Sequence, residues 1–143
     1  MNEKHLNELE KLVKNAYTKD EVPVGAIIVK NDVIIGRGKN EQHQSGVIFR
    51  HAEINAIEDA CRKQGKYELS GATIYITLEP CLMCLGAIIE ARLSKIVYVL
   101  DSPKYGFSQF ITRDEVVKKI MVEKTVDQPQ LEKMMKEFFQ SKR

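Results

Sequence analysis

Two sulfurs three residues apart, Cys81 and Cys84 in Pro80-Cys81-Leu82-Met83-Cys84, are the side chains in this sequence best suited to holding a metal ion. Proline fits the first position of a helix, where its missing N–H would go unpaired anyway, so the stretch predicts a helix opening at Pro80. The dipole and free amides at a helix N-terminus favour the thiolate form that binds metal. On a helix, side chains three apart share a face, so the two sulfurs can grip one ion. Thirty residues upstream, His51-Ala52-Glu53 opens a second predicted helix. One imidazole and two thiolates give Zn2+ three protein ligands and leave its fourth position to water, which marks a catalytic rather than a structural site. Glu53, two residues past His51, is the candidate proton carrier beside that water.

Other uses of a Cys-x-x-Cys pair are a redox dithiol and half of a closed structural zinc site. A closed site would have to borrow a fourth ligand from Cys61, His5 or His43, and no second cysteine pair exists to complete it. The open three-ligand site is therefore expected. Such an ion lowers the pKa of its water towards 7. Glu53 would accept the water proton and then serve to protonate the ring nitrogen and the departing amine in turn. The substrate this chemistry needs is an sp² carbon bearing an exocyclic amino group, as in a purine or pyrimidine.

The elements that must position these residues are legible from periodicity. Leu6, Leu9, Leu12, Val13 and Ala16 make an apolar helical stripe over residues 2–18. Val24 to Val29 reads as a buried strand and Val33 to Gly38 as a second, with Asn31-Asp32 between them as a hairpin turn. Residues 40–50 form a polar loop, and the helix from His51 should stop near Gly65, with Cys61 a small buried thiol inside it. Ala72 to Thr77 is a β-branched strand delivering the chain to Pro80, whose helix runs to about Arg92, and Lys95 to Leu100 is a fourth strand. A loop over 101–109, a short helix at Thr112–Lys119, a strand near Ile120–Val126 and a closing helix from Gln128 to Arg143 complete the chain. A hairpin followed by strand–helix alternation predicts an α/β fold: one domain over residues 1–143, three layers α/β/α around a mixed central sheet of about five strands. Both ligand-bearing helices should lie on one face, with their N-termini converging at strand ends, where α/β sheets carry their sites.

At 143 residues the chain can bury about two-thirds of its unfolded surface. Its 43% hydrophobic and 29% charged content is that of an ordinary globular protein. No apolar run reaches the roughly twenty residues that span a bilayer, so no membrane partner is expected. Three cysteines, two committed to metal, suit a reducing compartment, and the cytoplasm is the expected location. The net charge of +2 comes from the tail: eight basic against six acidic residues from Arg113 onward, and fourteen of each before it. That imbalance is compatible with a local phosphate contact.

The spacing His-x-Glu … Pro-Cys-x-x-Cys matches the known zinc deaminase signature. With Glu21-Val22-Pro23-Val24-Gly25-Ala26, Thr77-Leu78-Glu79-Pro80, Gly86-Ala87-Ile88, Pro103-Lys104 and the closing Phe138-Phe139, nearly the whole chain resembles the bacterial tRNA-specific adenosine deaminases of the cytidine deaminase-like superfamily. The resemblance implies a zinc-dependent hydrolase, one Zn2+ per subunit on His51, Cys81 and Cys84, converting adenosine to inosine at the wobble position of a tRNA anticodon. It implies a homodimer and a partner in the tRNA anticodon loop. Asn40 stands where the family bonds the flipped base, Ala52 and Pro80 where it lines the pocket, and Val24 where it supplies an apolar wall. Asp101, Ser102 and Lys104 fall in the loop that meets the substrate backbone. Phe138, Phe139, Lys142 and Arg143 resemble the helix that touches the anticodon loop, in keeping with the way aromatic and basic side chains read single-stranded RNA. Three stretches depart from the family pattern: Val47-Ile48-Phe49-Arg50 replaces the usual Asp-Pro-Thr-Ala, the pair before Pro-Lys is Asp101-Ser102, and Phe107-Ser108-Gln109-Phe110 is bulkier than the usual small residues. Because these lie in substrate loops, a deaminase of free bases or nucleotides (guanine, cytosine or dCMP type) is the alternative.

Overall fold

The computed structural model describes residues 1–125 and 128–141. Helix α1 (Glu3–Thr18) is followed by strands β1 (Gly25–Lys30) and β2 (Val33–Lys39), a four-residue helix α2 (Gln42–Ser45) and helix α3 (Ala52–Gln64). Strand β3 (Thr73–Leu78), helix α4 (Leu82–Glu90), strand β4 (Lys95–Leu100), a 3₁₀ turn over Phe107–Gln109, helix α5 (Arg113–Val117), strand β5 (Met121–Lys124) and helix α6 (Pro129–Ser141) follow. The strands form one sheet in the order β2-β1-β3-β4-β5. β1 is antiparallel to both β2 and β3, while β3, β4 and β5 run parallel, so the expected mixed five-stranded sheet is present.

Alternation along β1 explains why its residues read as a continuous apolar run. Ala26 and Ile28 pack with Ala56, Ala60, Leu85 and Ile88 of α3 and α4, whereas Ile27 and Val29 pack with Leu9, Val13, Leu131 and Met135 of α1 and α6. A strand covered on both faces has no polar side to show. The hairpin turn has the left-handed backbone that a two-residue loop between twisted strands demands, with φ of 50° at Asn31 and 66° at Asp32. β2 lies so close to α3 that a Cβ on Gly38 would sit 2.2 Å from the Ala52 carbonyl oxygen. That approach is open only to glycine, and it seats the first turn of α3.

Several boundaries differ from expectation. Both ligand-bearing helices begin later than their sequence signals suggest. α3 starts at Ala52 with His51 as an extended N-cap (ψ 156°), and α4 starts at Leu82 with Cys81 as an extended N-cap (ψ 171°). Pro80 therefore precedes the cap instead of opening the helix, because an isolated bridge between Cys81 and Gly106 keeps that residue extended. The polar 40–50 loop holds α2, and α5 is shorter than Thr112–Lys119, ending at Val117. The strand expected near Ile120–Val126 is Met121–Lys124; Val126 is outside the described residues. No described helix is long and apolar enough to cross a membrane.

Candidate active site

Three consecutive strand ends meet at one edge of the sheet. The register pairs Gly25 with Lys39, and the Gly25 amide donates to Thr77 Oγ1 at 3.1 Å, so β2 and β3 finish at the same level on either side of β1. Leu78 pairs with Leu100, which brings β4 to the same level. Beyond these ends the chain places Asn40, Glu79 and Asp101-Ser102, and from there it enters α3, α4 and the 101–110 loop.

The two helix caps bring the predicted ligands together. His51 Nδ1 lies 3.6 Å from Cys81 Sγ and 3.4 Å from Cys84 Sγ, and the three ligand atoms all fall within 4.8 Å of one another. Zn–S of about 2.3 Å and Zn–N of about 2.0–2.1 Å in tetrahedral geometry put nitrogen and sulfur about 3.6 Å apart. The observed spacing is thus that of a tetrahedral zinc site with Nδ1 inward. Among the side chains themselves, the Cys84 thiol donating to Cys81 and the nearby imidazole hold the Cys81 thiol down, at about 4. The Cys81 sulfur and burial push the Cys84 thiol up, so Cys81 ionises first. The bond to Cys81 likewise raises His51, outweighing its desolvation. Glu53 is buried in the first turn of α3. Burial pushes its carboxyl up to about 7, opposed by its own amide and by His51, which suits a group that must both take and return a proton near neutrality.

Around this centre, Asn40 is buried and its side-chain oxygen accepts the Ala52 amide at 2.8 Å, tying the end of β2 to the start of α3. Its NH2 makes no hydrogen bond among the described residues, so it remains free to donate. Val24 and Pro80 are buried, and the Pro80 carbonyl accepts the Phe107 amide at 2.9 Å. Ser102 is buried, whereas Lys104 is exposed in a turn. Asp101 is exposed and paired with Lys124 at 2.9 Å, which holds its carboxyl below the usual range. Phe138 stacks on Tyr17 with ring centroids 4.1 Å apart, and Phe139 packs against both cores, so each ring is only partly available to a partner. Lys142 and Arg143 lie outside the described residues.

Two carboxylates escaped the sequence reading. Glu79 accepts the Ser102 amide (3.2 Å) and the Ser108 amide (3.0 Å), with Gly106 so close that a Cβ there would lie 2.3 Å from its carboxyl carbon. Glu21 accepts the amides of His43 (2.9 Å) and Gln44 (2.7 Å). Both stand within two residues of a proline in stretches that carry the family resemblance, but their partners are backbone amides and their burial is a property of the fold. The departing loops are also held. Ile48 is bonded by Gln42, and Arg50 reaches Asn55 and Glu58, while Phe107 turns into the core and leaves Phe110 outside. A groove of about 600 Å³ runs beside the site along β2 and α3, but its cations Arg37, Lys39, Arg50 and Arg62 are each paired with an acid.

Comparison with known proteins agrees with this geometry. The family model described as MafB19-like deaminase matches residues 1–143. A tRNA-specific adenosine deaminase of Bacillus subtilis is 42% identical over 106 residues, covering 74% of this chain and 66% of the relative. One from Streptococcus pyogenes is 34% identical over 142 residues, covering 96% and 89%. A solved structure from work on A-to-I editing by tRNA deaminases at the wobble position superposes with a TM-score of 0.77 at 32% identity, covering 84% of this chain and 95% of that one. A guanine deaminase from Bacillus subtilis gives a TM-score of 0.67 at 34% identity, covering 76% and 73%.

Proposed function

The chain belongs to the MafB19-like deaminase family and is a hydrolytic deaminase, and we propose that it converts adenosine to inosine at the wobble position of a tRNA anticodon. The observation that carries this reading is a zinc-spaced His51–Cys81–Cys84 trio beside the buried Glu53 carboxyl. His51 Nδ1 and the two Sγ atoms would hold Zn2+, which when bound supplies a Lewis acid that lowers the pKa of its water towards 7.

The chain's own residues do the rest. Glu53 takes one proton from the attacking water and passes it to N1 of the adenine ring while C6 gains the hydroxyl. It then carries the proton of that hydroxyl to the amino group, and the C6–N bond breaks as C6=O forms. Water and adenosine thereby become inosine and ammonia. The free NH2 of Asn40 donates to an acceptor nitrogen of the flipped base, while Val24, the Ala52 backbone and Pro80 form the pocket wall. Ser102, Asp101 and Lys104 meet ribose and phosphate, and the exposed parts of Phe138 and Phe139, with Arg143, meet neighbouring bases. The enzyme acts as a cytoplasmic homodimer with one zinc per subunit. The tRNA-specific deaminases among its relatives support the substrate.

The second reading, a deaminase of a free base or nucleotide (guanine, cytosine or dCMP type), draws on the likeness to guanine deaminase. Incubating the zinc-loaded protein with unmodified tRNA and, separately, with free adenosine, guanine, cytosine and dCMP separates the two. Inosine in the tRNA with no ammonia from the free compounds is expected; ammonia from a free compound with unchanged tRNA overturns the first reading.

A further inference from the structure

The imidazole of His51 has two nitrogens, and the fold must decide which one meets the sulfurs. Nδ1 faces Cys81 and Cys84, and on the other side of the ring Nε2 lies 3.2 Å from the side-chain amide of Gln42. A neutral imidazole that offers Nδ1 to a metal carries its proton on Nε2, and that proton needs an acceptor. Glutamine can supply one, because turning its amide exchanges NH2 for carbonyl oxygen at the same position. In the arrangement seen here the NH2 donates to the Ile48 carbonyl; the turned amide gives up that bond for one to the ring.

Gln42 is itself held from a distance. It opens α2, whose N-cap Glu41 makes no side-chain cap bond. First-turn amides need acceptors, and the buried Glu21 carboxylate, arriving from the loop after α1, accepts those of His43 and Gln44. The position of Gln42 therefore depends on a carboxylate anchored in the body of the fold, since four residues of helix could not hold it alone.

We propose that Gln42, fixed in place by Glu21, is a positioning residue for the metal ligand His51, orienting the ring so that Nδ1 is the coordinating nitrogen. The inference rests on the metal-site reading above. It is tested by zinc affinity, measured by chelator competition on the full chain, with thermal melting of the zinc-free protein to follow the fold. Gln42→Leu should weaken zinc binding about 10–100-fold, the usual cost of losing an outer partner of a metal ligand. Gln42→Glu should bind within about threefold of the unaltered chain, because a carboxylate accepts from Nε2–H. A role confined to holding Ile48 makes a different forecast, since neither leucine nor an ionised glutamate can donate to that carbonyl and both variants would lose alike. Equal losses, or a Gln42→Leu protein with undiminished affinity, overturn the proposal. Gln42→Ala repeats the apolar arm should Gln42→Leu melt early. Failure of the unaltered chain to take up zinc would show in the first titration, and it would remove the metal-site reading together with this inference.

Discussion

The two walls of the site are built to one plan and secured differently. Upstream, Glu21 grips the segment that leads to His51; downstream, Glu79 grips the loop that lies against Cys81, and each carboxylate accepts two backbone amides. The downstream wall is also stitched by backbone: Phe107 to Pro80 at 2.9 Å, Glu79 to Leu100 at 2.7 Å, and the bridge between Cys81 and Gly106. The upstream wall has backbone ties too, Glu41 to Arg50 at 2.9 Å and Asn40 to Val24 at 3.2 Å. Its contacts with the ligand-bearing helix, however, are made by side chains, Gln42 reaching His51 as well as Ile48 and Asn40 reaching Ala52, and its tip is exposed at Ile48 and Phe49. Backbone ties tolerate a change of side chain and side-chain ties do not. Removing a buried downstream side chain should therefore cost stability while the backbone ties keep the metal ligands in place, and upstream substitutions should cost metal affinity and substrate fit.

Chemistry between the walls sets the largest effect. Glu53→Gln should lower the deamination rate on the order of a thousandfold, the span of a lost general acid–base, with zinc content unchanged by metal analysis. A rate within tenfold of the unaltered enzyme would remove Glu53 from the reaction. Next comes Phe107→Ala, which empties a core position that is 2% exposed and should cost about 3–5 kcal/mol in chemical denaturation. Its neighbour Phe110, 68% exposed, should tolerate the same change within about 0.5 kcal/mol. Similar losses at both would mean that the downstream loop is not anchored through Phe107. Glu79→Gln turns an NH2 on one of two donors, one of them buried, and should cost about 1–3 kcal/mol. Glu21→Gln should cost less, because both of its partners are partly solvated. The reverse order would break the contrast between the walls. Lys124→Ala removes an exposed pair and should change stability by less than about 1 kcal/mol. By NMR titration the Asp101 carboxyl should rise back towards its ordinary value, since Lys124 is the first cause of its depression.

How much of this was readable beforehand follows from the range of each signal. The ligand residues His51, Cys81 and Cys84, with Glu53, were legible because two short motifs, His-x-Glu and Pro-Cys-x-x-Cys, are chemical in themselves; that Nδ1 is the nitrogen facing the sulfurs is visible only in the fold. Asn31-Asp32 named its own turn, and the period-two burial of β1 appeared as a continuous apolar run. The start of α4 falls later than Pro80 suggests because a bridge to Gly106, distant in sequence, keeps Cys81 extended. α2 carries no apolar stripe in its four residues, so nothing in the sequence separates it from the polar loop around it. Glu21 and Glu79 stayed hidden because their partners lie 22 to 29 residues away and are backbone amides, which no side-chain pattern announces.

X-ray absorption on the zinc-loaded protein reads the centre itself. Two sulfurs at about 2.3 Å and two lighter neighbours at about 2.0–2.1 Å are expected, one of the latter exchangeable for an added anion. A third sulfur from Cys61, two imidazoles with no exchangeable position, or a chain that binds no zinc would contradict it.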